Sequence, residues 1–190
     1  SVFIGIDTVR VTDGADYPAG YDDIQQVRED YSEDDDELFY REAFERWYSV
    51  NDPAMFGYKG ASLFSSTVDG RHSAFMSGMG LLGWDIGNRY TYAETLPLAN
   101  SFLDIKYMIG RNRHPKGTEN WEMLYQGNGL TSYKNKYYLS LGFMTNSQMQ
   151  DFDYTKDQHE IPATTPFEAQ QNLLQKSTGI TDEMFTSLTV

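Results

Sequence analysis

The sequence predicts an α/β fold in which helices pack on a mixed β-sheet, with α+β as the alternative. Strand-like and helix-like segments alternate through the first two thirds of the chain, and short alternating runs joined by an Asn-Gly pair follow. The last long segment has the pattern of a helix. This order is typical of a mixed sheet covered by helices, and the later runs predict a C-terminal β-meander.

Four segments in the first two thirds predict strands. Residues 2–12 alternate apolar and polar side chains around Gly5, and residues 61–67 and 105–109 are short runs rich in strand formers. Residues 38–49 (LFYREAFERWYS) mix strand formers with helix formers, and their alternation favours a strand with one buried face. The Asn-Asp-Pro sequence that follows would end either element.

Four segments predict helices. From Tyr21, acidic residues in the first turn and apolar residues at helical spacing predict a short amphipathic helix. Residues 72–82 predict a second helix with Asp69 as its N-cap, and residues 96–103 predict a third with Pro in its first turn. Residues 166–179 begin with Pro and end with Gly. The predicted stripe of this last helix is Phe167, Gln170, Leu173 and Leu174.

The region after residue 120 predicts antiparallel strands. The runs EMLYQ and LTSYKN flank residues 127–129 (Gly-Asn-Gly), and Asn-Gly is the preferred dipeptide of a two-residue hairpin turn. The run KYYLSLGFMTN at 136–146 is predicted to continue the meander. Residues 110–117 and 151–165 are predicted to be loops.

Composition and charge exclude several function classes. The 190 residues are 39% hydrophobic, which fits one globular domain. Fifteen basic and twenty-eight acidic residues give a net charge of −13, which argues against binding to nucleic acid or to an anionic lipid surface. The chain has no cysteine, and its three histidines are far apart, so we expect no disulfide, no thiol chemistry and no zinc site.

An acidic run, EDYSEDDDE at 29–37, is predicted to be an exposed loop. Calcium binding is a lesser alternative, because the run lacks the D-x-D-x-D-G pattern of a calcium loop.

No apolar run reaches the roughly 18 to 20 residues that cross a bilayer, and no signal peptide is recognisable. The chain begins abruptly with strand-like SVFIGID and ends at TSLTV. We therefore expect residues 1–190 to be a single domain excised from a longer protein.

The sequence lacks the common catalytic and nucleotide-binding motifs. It contains no G-x-S-x-G, no Walker loop and no HExxH. GMGLLG at 78–83 has dinucleotide-binding spacing, but it ends a predicted helix instead of opening one after a strand, so it is interpreted as a helix stop. Paired carboxylates at about 5 to 9 Å could perform glycosidic acid–base chemistry. The acids nearest the central segment are Asp52, Asp85, Glu94 and Asp104.

The glycine-rich segment 51–92 is the predicted functional region, because dense glycine indicates tight turns or a close approach of the backbone to a ligand. Aromatic residues beside Asn88 and Arg89 suit a sugar-stacking surface, and they equally suit an ordinary strand edge. We predict a polar groove between residues 51–66 and 88–92. The alternative is a compact turn region whose polar groups satisfy one another. The predicted binding residues are Asp52, Tyr58, Lys59, Ser65, Ser66, Trp84, Arg89 and Tyr92.

Six stretches of the sequence, taken in order, carry a family resemblance. They are FYRE at 39–42, NDPAMFGYKGASLFSS at 51–66, FMSGMGL at 75–81, NRYTYAETLPLANSFLDIKYMI at 88–109, LYQGNGLTSYKNKYYLSLGFM at 124–144 and FEAQQNLL at 167–174. Together they resemble the extracytoplasmic part of the bacterial YfhO family, which consists of large polytopic membrane proteins of Gram-positive bacteria.

The resemblance implies a role in cell-envelope glycosylation. The family is similar to the class C glycosyltransferases, in which a helical membrane bundle transfers a sugar from a polyprenyl-phosphate carrier to an acceptor outside the membrane, here of the lipoteichoic acid type. The catalytic acid of that class lies in an outward loop of the bundle, which this chain lacks. The resemblance therefore implies no catalytic residue here, an inactive isolated domain, and a full-length parent that is a glycosyltransferase. We expect no metal and no cofactor in this domain, apart from the calcium alternative at residues 29–37.

The implied location is the extracytoplasmic face of the cell membrane, and the implied task is to orient the acceptor beside the carrier-linked sugar. The expected partners are the protein's own transmembrane bundle and an envelope glycan or teichoic-acid acceptor. The alternative is a structural or protein-interaction domain without glycan contact, and a free-standing glycan hydrolase is a lesser possibility. A net charge of −13 disfavours a polyanionic acceptor, so it favours the alternative or a neutral part of the acceptor.

Overall fold

The computed structural model describes residues 20–33, 35–83, 87–93, 97–112, 114–152 and 165–186. The helices are α1 (Tyr21–Ser32), α2 (Asp52–Phe56), α3 (Gly70–Gly78), α4 (Pro97–Phe102) and α5 (Pro166–Thr178). The strands are β1 (Arg41–Phe44), β2 (Leu63–Phe64), β3 (Leu82–Gly83), β4 (Arg89–Thr91), β5 (Ile105–Arg111), β6 (Trp121–Gly127) and β7 (Leu130–Asn135). Short 3₁₀ helices span Thr118–Asn120 and Ser147–Asp151. The strand predicted at residues 2–12 and most of the loop predicted at 151–165 lie outside the described residues.

A four-stranded sheet in the order β1-β5-β7-β6 is the framework of the molecule. β1 runs parallel to β5, whereas β5 and β6 are both antiparallel to β7. A smaller antiparallel sheet has the order β2-β4-β3. The predicted mixed sheet with helices packed on it is confirmed.

Helices cover both faces of the large sheet. Apolar side chains of α1 and α2 pack on one face in a cluster that includes Phe44 and Ile109. Side chains of α3, α4 and α5 pack on the other face in a cluster that includes Ala43 and Met108. The prediction that β1 has one buried face is therefore wrong, because Phe44 and Ala43 are buried on opposite faces of the sheet under different helices.

The predicted hairpin is confirmed, but the third strand of the meander is not present. β6 and β7 are joined by Asn128 and Gly129, which both have positive φ (51° and 73°), as a type I′ turn requires. Residues 136–146 form no strand. Because β7 lies between β5 and β6, both of its edges are already paired, and the chain that leaves it finds no free neighbouring edge.

The helix ends follow the local sequence. The side chain of Asp69 accepts a hydrogen bond from the backbone N–H of Arg71 (3.0 Å), which confirms the predicted N-cap of α3. α3 ends at Gly78, so the glycine run is a helix stop as predicted, although the helix begins and ends earlier than 72–82. α5 has a capping box formed by Thr165 and Glu168 and ends before Gly179 in the left-handed conformation.

Candidate functional site

Asp52, the first residue of the predicted groove, lies in the interior of the protein. Its side chain is fully buried, and its carboxylate accepts hydrogen bonds from the backbone N–H groups of Tyr48 (2.6 Å) and Ser49 (2.7 Å). Burial raises the pKa of the Asp52 carboxyl, and the two backbone hydrogen bonds oppose that rise. These contacts show that the Asp52 carboxylate holds the backbone of residues 48 and 49 in position within the fold.

Tyr58 and Tyr92 are also buried, in different clusters. Tyr58 packs beside Phe44 on the α1 face, with ring centroids 5.0 Å apart. Tyr92 belongs to the cluster on the opposite face, and its hydroxyl donates a hydrogen bond to Asn100 Oδ1 (2.8 Å). These three predicted binding residues are therefore buried in the structure and do not line one groove.

The remaining predicted binding residues are more accessible. Lys59 is exposed, its Nζ donates to the backbone oxygen of Leu38 (3.2 Å), and it lies 4.9 Å from the ring centroid of Phe39. Ser66 is exposed, whereas Ser65 and Arg89 are half-buried. Trp84 lies outside the described residues. The binding role of this set stays a prediction.

Residues 51–66 and 88–92 do lie side by side, as the sequence predicts, but strand pairing joins them. Leu63 pairs with Tyr90 and Phe64 with Arg89, and the backbone N–H of Ser65 donates to the oxygen of residue 88 (3.0 Å). Hydrogen-bonded neighbouring strands leave no cleft between them. The small sheet therefore replaces the predicted groove along this stretch.

A cavity of about 560 Å³ lies between β6 and the first turns of α4 and α5. This volume is within the roughly 300 to 1,000 Å³ of small-molecule sites. Its wall combines two aromatic side chains, two prolines, three amides and one pair of opposite charges. These residues are Trp121, Phe167, Pro97, Pro166, Asn100, Asn120, Gln170, Lys116 and Glu119, with Gly80 and Gly117 completing the wall.

The two aromatic residues differ in exposure. Trp121, the first residue of β6, is buried, whereas Phe167, in the first turn of α5, is 57% exposed at the rim of the cavity and packs edge-on against Phe185. The prediction that Phe167 belongs to the buried stripe of the helix is wrong, because the first turn of α5 lies over the cavity and not over the core. An exposed aromatic face beside polar groups can stack on a flat, partly apolar ring.

Gln170 has one satisfied and one unsatisfied polar atom. It is 1% exposed, and its Nε2 donates to the backbone oxygen of Met79 (3.0 Å). This bond fixes the orientation of the amide, and Gln170 Oε1 has no hydrogen-bond partner in the described part of the chain. An unpaired buried acceptor costs about 1 to 3 kcal/mol.

Asn100 is the second buried amide of the wall. Its Oδ1 accepts a hydrogen bond from the Tyr92 hydroxyl. The NH₂ group of Asn100 is therefore the part of this side chain that can donate to a ligand in the cavity. Tyr92, a predicted binding residue, does not line the cavity but contacts its wall through this hydrogen bond to Asn100. Lys116 and Glu119 carry opposite charges, so the wall is neutral overall although the chain carries −13. A polar, uncharged ligand fits such a wall.

Sequence reasoning missed these cavity residues. The available signal was Gln170, a polar residue within an otherwise apolar helical stripe. A buried glutamine on such a stripe needs partners, and one of its partners here is supplied by a backbone group that lies ninety-one residues earlier in the chain.

A separate group of charged side chains lies around the buried Lys106. β5 has one more residue than β1 between the pairs Arg41–Ile105 and Glu42–Tyr107, and this extra residue is Lys106. Its Nζ lies 2.7 Å from Asp35 Oδ1 and 3.2 Å from Glu37 Oε2.

The prediction that residues 29–37 form an exposed loop is therefore wrong in two respects. α1 extends to Ser32, and Lys106 pairs with Asp35 and Glu37. Burial acts to raise the pKa of the Asp35 carboxyl, but hydrogen bonds from Lys106 and Tyr107 hold it below its ordinary value.

Asp104 precedes β5 in a left-handed conformation (φ 57°) and is 2% exposed. Neither of its carboxylate oxygens has a hydrogen-bond partner among the described residues. Burial raises the pKa of this carboxyl to about 6, and the charge of Arg41 opposes the rise.

Asp52 and Asp104 do not form a glycosidic acid pair. Asp104 lies at the start of β5, whereas Asp52 interacts with Arg111 at its far end, and a strand of seven residues spans about 20 Å. Asp85 and Glu94 lie outside the described residues. Among the residues that are described, no group of three or more His, Cys, Asp or Glu side chains could hold a metal ion.

Comparison with known proteins assigns the chain to a protein family. No helix within the described ranges is long and apolar enough to cross a membrane. No curated protein and no solved structure matches the chain. The family model described as bacterial membrane protein YfhO matches residues 2–190, which is nearly the whole chain. The chain therefore belongs to the YfhO family of bacterial membrane proteins.

Proposed function

We propose that this chain holds the acceptor in a membrane glycosyltransferase-like protein of cell-envelope glycosylation, and that its cavity binds a neutral, hydroxyl-rich part of that acceptor. The observation that carries the proposal is the unpaired Oε1 of buried Gln170 in an aromatic-lined cavity. A sugar hydroxyl can donate to this oxygen, and another can accept from the NH₂ group of Asn100. The exposed ring of Phe167 supplies a surface on which a sugar ring can stack.

The chemical step belongs to the membrane part of the protein in this proposal. A sugar carried on polyprenyl phosphate is transferred on the extracytoplasmic side to an acceptor of the lipoteichoic acid type. This chain contributes orientation, because an acceptor held at a fixed site reacts as if it were present at a much higher concentration. The isolated chain performs no catalysis.

The charge distribution favours the sugar portion of the acceptor over its phosphates. A net charge of −13 repels a polyanion, whereas the single Lys116–Glu119 combination leaves the wall of the cavity without net charge. The cavity therefore suits a glycosyl unit or the end of a glycan.

The binding test uses the 190-residue chain titrated with glucose, galactose, N-acetylglucosamine and glycerol phosphate, with NMR signals of the side-chain amides as the readout. We expect a neutral sugar to shift the signals of Gln170 and Asn100, and glycerol phosphate to leave them unchanged. Loss of the stacking ring in Phe167→Ala weakens binding by about tenfold. Phe64→Ala is the matched control, since Phe64 is 44% exposed and lies outside the cavity.

The cellular test complements a deletion of the full-length gene with Phe167→Ala, Gln170→Leu or the control Phe64→Ala. Membrane protein level and glycosylated envelope polymer are both scored. Normal protein level with lost glycosylation in the first two variants supports the proposal. Normal glycosylation in both contradicts it.

A structural or protein-interaction role is the second candidate. The observation that favours it is the burial of Asp52, Tyr58 and Tyr92, whose groups are bonded or packed within the fold. In that case no sugar shifts the amide signals, the cavity variants glycosylate normally, and Asp52→Ala lowers the amount of the membrane protein.

A further inference from the structure

We infer that the loop of residues 139–144, which follows β7, inserts into the interfacial layer of a lipid bilayer. This inference rests on residues that do not line the cavity, so it does not depend on the proposed acceptor site. It assigns a contact surface to a segment that the sequence predicted to be a strand.

The loop exposes apolar side chains, and one of them, Phe143, also packs edge-on against Phe102 with ring centroids 5.9 Å apart. Met144 is 100% exposed and Leu141 is 58% exposed, and Leu139 and Phe143 are 37% and 36% exposed. Four large apolar residues that are all at least one third exposed lie within six positions, and such a concentration of exposed apolar side chains in a folded protein marks a contact site.

The surrounding structure holds the loop at both ends. Before it, the Tyr138 hydroxyl donates to Glu37 Oε1 (3.2 Å), and the ammonium of Lys106 lies 4.7 Å from the Tyr138 ring centroid. After it, the backbone N–H of Asn146 donates to the oxygen of Ser177 (2.7 Å). The apolar side chains therefore project from a fixed base.

The distribution of charge indicates that a lipid bilayer is the partner that contacts the loop. Residues 137–150 contain no Asp, Glu, Lys or Arg, although 23% of the chain is charged. A second copy is disfavoured, because two chains of −13 repel each other. A protein partner requires shape complementarity, whereas a fully projecting methionine on a short loop offers neither a groove nor a ridge. The lipid boundary layer requires only an uncharged apolar surface, and the chain belongs to a membrane protein family.

The backbone of the loop limits the depth of insertion. The loop pairs with no strand of either sheet within the described residues, so its backbone N–H and C=O groups still need water or lipid headgroups. The side chains consequently reach the boundary between headgroups and acyl chains while the backbone remains among the headgroups.

The experiment uses the absence of cysteine from the chain to place one environment-sensitive dye at Met144→Cys. Met123→Cys is the matched control, because Met123 is 49% exposed and belongs to β6 and not to the loop. Each labelled chain is mixed with a large excess of phosphatidylcholine vesicles, with and without lipids that carry a quencher near the headgroup. We expect a blue shift and quenching at 144 and neither at 123.

Cosedimentation of the unlabelled chain with the same vesicles supplies the second measurement. Leu141→Asp and Met144→Asp are expected to lower the bound fraction by about tenfold or more, since each places a charge at the apolar boundary. Met123→Asp leaves binding unchanged, and circular dichroism verifies that all variants are folded. Equal emission with and without vesicles overturns the inference, as does a shift that depends on protein concentration and not on lipid, which would indicate a second copy.

Discussion

A buried polar side chain on one face of the large sheet is fully hydrogen-bonded, whereas one on the other face is not. On the α1 face, Arg28 donates two hydrogen bonds to buried Glu42 (2.7 and 3.0 Å), and the Tyr31 hydroxyl donates a third (2.5 Å). On the opposite face, Gln170 donates to Met79 but leaves its oxygen unpaired beside a cavity. A fully bonded group stabilises the fold, whereas a half-bonded group beside a cavity is free to bind something else. Stability measurements separate these roles.

Arg28→Met has the largest expected effect on the free energy of unfolding. It leaves the Glu42 carboxylate buried without its charged partner, and breaking such a pair costs about 3 to 5 kcal/mol. Urea unfolding measures the loss. The matched control is Arg71→Met, which removes an exposed pair with Asp69 and is expected to destabilise the protein much less, because solvent screens the two charges. Equal losses in the two variants would show that burial does not distinguish them.

Lys106→Met is expected to cost about 3 kcal/mol near neutral pH, because Asp35 and Glu37 lose their cationic partner and the Asp35 side chain is only 6% exposed. The folded-state pKa of Asp35 lies below its unfolded value of about 3.9, so its stabilisation is present above that pH and is lost as the pH falls through the folded pKa. The difference between the variant and the wild type should therefore shrink below about pH 4. Unfolding curves at pH 3 and pH 7 test this, and a difference that does not change with pH contradicts it.

Asp104→Asn should increase stability at neutral pH by about 1 to 3 kcal/mol. The folded pKa of about 6 lies above the unfolded value, so the folded state holds the proton longer and stability falls as the pH rises from about 4 to 6. Asparagine removes this dependence and tolerates the left-handed backbone at φ 57°. Thermal unfolding at pH 4.5 and 7.5 gives the comparison. Asp36→Asn, at an exposed position, is the matched control.

Gln170→Leu has the smallest expected effect on stability, within about 1 kcal/mol, because it removes one hydrogen bond and also one unpaired acceptor. The same variant should lose sugar binding in the NMR titration. A loss of stability as large as that of Arg28→Met would assign Gln170 to the fold and not to a binding site.

The elements that the sequence predicted well are those determined by neighbouring residues. The capping box and the terminal glycine of α5 specify both of its ends, and the Asn128–Gly129 pair specifies the hairpin. The faces of β1 and the pairing of Lys106 with Asp35 depend on segments distant in the chain. No local pattern in residues 29–37 reveals that a lysine far along the chain will neutralise them.

The same distinction applies to the candidate site. The sequence predicted a groove between residues 51–66 and 88–92, but it could not show that Leu63 and Phe64 would pair directly with Tyr90 and Arg89. The cavity is assembled from the ends of α4, α5 and β6, which are separated by long stretches of sequence. Only Gln170, a polar residue in an apolar stripe, carried a local signal.

The position of β7 in the interior of the sheet has a consequence for synthesis of the protein. Arg41 of β1 pairs with Ile105, and β5 in turn pairs along its other edge with β7, so the sheet cannot close until residue 135 has left the ribosome. Until then, Ile24 and Phe44 have no complete core to cover them. The growing chain is therefore prone to aggregation through its first two thirds, and completion of the β6–β7 hairpin is the step that ends this exposure.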